Sequence, residues 1–130
     1  MNGRYADVSI TLNRSAASMH VLYLTKDLFF SSRVCSLARE AGVTIDVIAS
    51  VDACLAKDDT TLAIIDLGLP QLDVATAVRQ LRETFSQLKI VAYGPHVEAP
   101  MLAAAERAGC DLVLPRSQFG QQIAAILATV

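Results

Sequence analysis

Long apolar runs are missing from this 130-residue chain. No stretch approaches the roughly 18 uninterrupted apolar residues that a membrane span requires. The N-terminus has no basic start followed by an apolar run, so no signal peptide is expected. A basic surplus is also lacking. The net charge is −2 and the pI about 5.6, which argues against a nucleic-acid or anionic-membrane partner. Cysteine is sparse and odd in number, with Cys35, Cys54 and Cys110 in no metal-ligand spacing. They read as buried, reduced thiols of a cytoplasmic protein without a catalytic role. No glycine-rich phosphate loop follows the first strand, because Thr25-Lys26-Asp27-Leu28 contains no glycine. Ser31 and Ser32 have no base partner in the pattern, so no nucleophile–base pair is expected and the chain is not read as an enzyme.

What is present is a regular alternation. Hydrophobic residues make up 53% of the chain, enough to build a core without disulfide or metal support. Residues 1–19 are polar, with only Val8-Ser-Ile-Thr-Leu12 strand-like, and read as a tail or accessory strand. Residues 20–130 read as one domain. Short apolar runs mark strands at His20–Leu24, Thr44–Ile48, Leu62–Ile65, Ile90–Tyr93 and Leu112–Leu114. Helical spacing links Phe30, Val34, Leu37, Ala38 and Ala41, and Gly42 suits the end of that helix. A short helix is expected from Asp52 to Ala56. Val74, Val78, Leu81 and Phe85 form the stripe of another helix. Pro100 to Ala108 is a further helix ended by Gly109, and Gln118 to Thr129 is the last.

Five strands alternate with helices, and the strands are continuously apolar rather than half-polar. This predicts a three-layer α/β domain with a doubly wound five-stranded parallel sheet, order 2-1-3-4-5, of the flavodoxin-like kind. Sites in such sheets lie at the carboxyl ends of the strands, near the switch point between strands 1 and 3. There the sequence places Thr25, Lys26 and Asp27, then Asp66, then Tyr93, Gly94 and His96, then Pro115 and Arg116. Asp66 is expected to face Lys26, Asp27 and Arg116. His20 is expected at the opposite edge.

Leu62-Ala-Ile-Ile-Asp66-Leu-Gly-Leu-Pro70 resembles the third strand and phosphoacceptor loop of response-regulator receiver domains. Val21 to Phe30 resembles the family's first strand and the start of its first helix, and Ala105 to Asp111 the stretch before strand 5. The resemblance implies a two-component phosphorelay module with Asp66 as the phosphoacceptor-equivalent. It also exposes departures. Thr25 and Lys26 stand where the family has an acidic pair, Gly94 where it has a hydroxyl, and Arg116 near its lysine. Mg²⁺ needs carboxylates, so the resemblance implies a lost Mg²⁺ site, no cofactor, and Lys26 supplying the positive charge beside Asp66.

The expected function is therefore that of a stand-alone pseudo-receiver acting through protein–protein interaction. A protein partner or a second copy would dock on the last two helices and strand 5. One alternative is a working receiver phosphorylated on Asp66 by a histidine kinase, with Asp27 holding the metal. Another is a small-ligand-binding flavodoxin-like domain.

Overall fold

The structure, a computed structural model, describes residues 19–54 and 59–129. The expected tail, Met19 apart, and the second half of the expected Asp52–Ala56 helix lie outside the described residues. The elements run β1 (His20–Leu24), α1 (Leu28–Glu40), β2 (Thr44–Ile48), a 3₁₀ turn (Val51–Ala53), β3 (Thr60–Asp66), α2 (Val74–Thr84), β4 (Lys89–Gly94), α3 (Ala99–Ala108), β5 (Leu112–Pro115) and α4 (Arg116–Leu127). All four strand pairings are parallel, in the order β2-β1-β3-β4-β5. This is the predicted doubly wound, flavodoxin-like sheet.

Local chemistry sets the helix boundaries. Asp27 caps α1 by accepting the Phe30 N–H at 3.1 Å, which starts the helix at Leu28, two residues before the first residue of its apolar stripe. Gly42 closes it at φ 74°, with Val43 N–H reaching Ala38 O at 2.9 Å. Gly109 does the same after α3 at φ 100°, with Cys110 N–H on Ala105 O. Both glycines stand where the chain must turn left-handed to satisfy the last carbonyls. The last helix begins at Arg116, two residues before the expected Gln118, because Pro115 ends the strand and serves directly as its N-cap.

The two sheet faces bury separate cores. Val21, Tyr23, Leu62, Ile64, Val91 and Tyr93 point to the face covered by α1 and α4. Leu22, Ala63, Ile65, Ile90 and Ala92 point to the face covered by α2 and α3. The central strands β1, β3 and β4 are buried on both faces, whereas the edge strand β2 is partly exposed. The three cysteines are free and only half-buried, a correction to the expected full burial. They lie on α1, after the 3₁₀ turn and before β5, not on the central strands. Burial pushes the Cys110 thiol up to about 11 and raises that of Cys54, so neither is poised as a thiolate nucleophile. Among the described residues no helix is long and apolar enough to cross a membrane.

Candidate functional site

Strand pleating decides which residues at the carboxyl edge meet. Successive side chains on a strand alternate faces. The register pairs Tyr23 with Ile64 and Leu24 with Ile65, and one step further brings Thr25 beside Asp66. Asp66 itself pairs with Tyr93 on β4. Thr25, Asp66, Tyr23 and Tyr93 therefore share the α1/α4 face.

Asp66 is almost fully buried, at 6% exposure, and Thr25 more so, at 3%. The Thr25 hydroxyl donates to Asp66 Oδ2 at 2.6 Å, and the Gly68 N–H donates to Asp66 Oδ1 at 2.9 Å. Thr25 Oγ1 in turn accepts the Asp27 N–H at 2.9 Å. The aspartate is thus held by short bonds on both oxygens, as a buried carboxylate must be.

Arg116 pairs with Asp27 and stacks its guanidinium 4.4 Å above the Phe30 ring. The Phe30 N–H first, and Arg116 with it, hold the Asp27 carboxyl below the usual carboxylate range. The contact joins the first residue of α4 to the N-cap of α1. The cation after β5 and the only acid of the β1–α1 loop are spent on each other.

Beneath these groups lies a buried aromatic cluster. The Tyr23 and Tyr93 hydroxyls are 2.6 Å apart. Burial raises both phenols, Tyr23 to about 12, so both stay protonated at neutral pH. Tyr93 stacks on Phe119 of α4 with centroids 4.2 Å apart, and Phe30 meets both edge-on. At Gly94, an added Cβ would stand 3.2 Å from Leu67 Cβ and 3.3 Å from Met101 Sδ. The space where the resemblance calls for a hydroxyl side chain is filled by Leu67 and Met101.

The expected pairing of Lys26 with Asp66 does not form. Lys26 is exposed and, among the described residues, makes no ion pair. It follows Leu22 and Leu24 in β1 parity, so its side chain belongs to the α2/α3 face, opposite Asp66. Arg116 likewise reaches Asp27 rather than Asp66. His96 is exposed in the β4–α3 loop. His20 sits at the amino-terminal end of the sheet, as expected, but fully buried. Its Nδ1 is 2.7 Å from Thr60 Oγ1 and its Nε2 is 2.9 Å from Asp46 Oδ2, tying β1 to both neighbours. The part of Thr25 as the hydroxyl partner of Asp66 was the residue role that sequence reasoning missed. Counting strand parity from Leu22 and Leu24 was the signal that could have found it.

The donor set fits Mg²⁺ poorly. One carboxylate is engaged by Thr25 and Gly68, the other is neutralised by Arg116, and the described residues offer no cluster of three or more His, Cys, Asp or Glu.

No protein-family model and no curated protein matches this sequence. Solved structures do match. A response-regulator signal receiver domain from Bermanella marisrubri superposes with TM-score 0.70 at 16% identity, over 85% of this chain and 95% of that one. The signal receiver domain of an HD-domain-containing protein from Pseudomonas fluorescens gives 0.71 at 16%, over 85% and 92%. A CheY-like receiver domain protein from Methanospirillum hungatei gives 0.67 at 14%, over 85% and 94%. At these identities the likeness establishes the fold.

Proposed function

We propose, taking the receiver-domain fold as premise, that this chain is a pseudo-receiver: a signalling module that acts by protein–protein contact without Mg²⁺-dependent phosphorylation of Asp66. The observation that carries this reading is the Asp27–Arg116 pair. It removes from the pocket both the acid that would hold a cation and the cation that would hold a phosphoryl group. Two further features support it. Thr25 already occupies one oxygen of Asp66, and Leu67 and Met101 fill the space beside Gly94.

A phosphorylated receiver would need Asp66 to release Thr25 and Asp27 to release Arg116 before a metal could bind between them. The output surface under this reading is α3, β5 and α4. There Met101, Leu102, Leu112 and Val113 are apolar and only half-buried, a composition that suits a protein partner or a second copy. A histidine kinase remains the partner of the competing reading, in which Asp66 is a working phosphoacceptor.

The test is mass spectrometry after incubation with acetyl phosphate, with and without Mg²⁺, on the wild type and Asp66→Ala. No added phosphoryl group is expected in any condition. A Mg²⁺-dependent gain on the wild type that disappears in Asp66→Ala would establish the phosphoacceptor reading instead.

A further inference from the structure

The carboxyl edge of the sheet has a second face, and it is not closed. On the α2/α3 side a cavity of about 480 Å³ opens between the ends of β1, β2 and β3. Asp66 is not among its walls. Its floor is apolar, made by Leu24, Leu69 and Ala77, and its rim is polar. Lys26 enters from the loop after β1, Ser50 and Asp52 from the turn after β2, and Gln71 and Asp73 from the loop after β3. The position is the switch point of a doubly wound sheet, where β1 is flanked by strands reached through crossovers of opposite sense. The size is that of small-molecule sites, and an apolar floor with a few convergent polar groups is their usual make-up.

We propose that this cavity binds a zwitterionic small molecule of the α-amino acid class. The argument is the charge arrangement. Lys26 makes no ion pair among the described residues, so its ammonium is available to a carboxylate. Asp52 is exposed on the same cavity's rim, in the turn after β2, and available to an ammonium. Asp73 is committed: it accepts the Thr76 N–H at 3.3 Å and the Thr76 hydroxyl at 3.0 Å as the cap of α2. It contributes negative field rather than a direct bond. A ligand carrying only carboxylates meets Asp52 and Asp73, and one carrying only an amine meets Lys26. A molecule with both charges close together satisfies each wall, and its side chain lies on the Leu24 floor. Gln71 lies on the same rim at φ 63°, a conformation that costs a non-glycine residue energy and that clusters at ligand sites.

This inference does not depend on how Asp66 is read. It is tested by thermal unfolding of the full chain with each free L-amino acid at about 10 mM. The same side chains are offered as the carboxylic acid without the amine and as the amine without the carboxylate. At least one amino acid is expected to raise the midpoint by about 4 °C or more, with neither half doing so. Calorimetry should then show that Lys26→Met and Asp52→Asn, both at exposed positions, weaken binding about 10-fold or more. Absence of a shift with every amino acid overturns the proposal. So does a carboxylic acid that binds as well as its amino acid, or binding that survives Lys26→Met unchanged.

Discussion

Replacing Thr25 by Val removes one oxygen and leaves the volume almost unchanged. Because the side chain is buried, no water can take the place of the lost hydroxyl. Asp66 Oδ2 loses a 2.6 Å bond, and hydrogen bonds to a charged group are worth about 1.5–3 kcal/mol. The Asp27 N–H loses its 2.9 Å acceptor. That donor is only partly buried, so its cost falls at the low end, about 1 kcal/mol. No cavity opens, so no packing loss is added. The expected destabilisation is about 2–4 kcal/mol, a fall of roughly 10 °C in the midpoint for a domain of this size. Urea unfolding followed by circular dichroism measures it, and Thr25→Ser should recover most of the loss. A double-mutant cycle with Asp66→Ala isolates the pair, with an expected coupling of about 1.5–3 kcal/mol. If the two losses simply add, to within about 0.5 kcal/mol, Thr25 does not hold Asp66 and the account of the pocket fails.

Three other outcomes follow from the same geometry. Asp27 and Asp111 both ionise below the ordinary aspartate value. For Asp27 the chief cause is the Phe30 N–H, with Arg116 adding to it. For Asp111 the bonds from Ile90 N–H and Arg82 outweigh its partial burial. Their stabilisation is complete above about pH 4, the unfolded value, and fades as pH falls through the lower folded values. The wild type should therefore lose its advantage over Asp27→Asn and Asp111→Asn in urea titrations taken below pH 4. His20→Ala breaks both side-chain bonds linking β1 to β2 and β3 and leaves a void. It should cost about 2–4 kcal/mol by thermal unfolding, with no change in binding at the far edge of the sheet. Gly94→Thr forces a Cβ against Leu67 and Met101 and should cost about 1–3 kcal/mol. Leu67→Ala in the same chain should relieve part of that cost, as read from the two urea midpoints.

The site was legible in outline because position along a strand is a local property. Asp66 ends an apolar run, and Thr25 to Asp27 end another, so both had to reach one edge of a parallel sheet. The face a residue takes at a strand end follows its parity and not its charge. Lys26 carries a charge that suits Asp66, yet it follows Leu24 by two and must share that residue's face. Arg116 and Asp27 lie 89 residues apart in sequence, and their pairing depends on how close the first turns of α1 and α4 come. Nothing in either local sequence reports that distance. The same holds for His20, whose partners come from two other strands, and for Tyr93, whose ring is stacked by a helix 26 residues further along.

The sequence by itself determined the alternation of strands and helices, the parallel sheet and its order, the left-handed glycines that end α1 and α3, and the edge at which Asp66 stands. These follow from hydrophobic period, crossover handedness and backbone preference, which act over a few residues or through general rules. Only the tertiary structure decided that the Thr25 hydroxyl comes within 2.6 Å of Asp66, that Arg116 closes on Asp27, and that a cavity apart from Asp66 opens beside Lys26. Each is a matter of a few ångströms between segments distant in the chain, fixed by sheet register and helix docking.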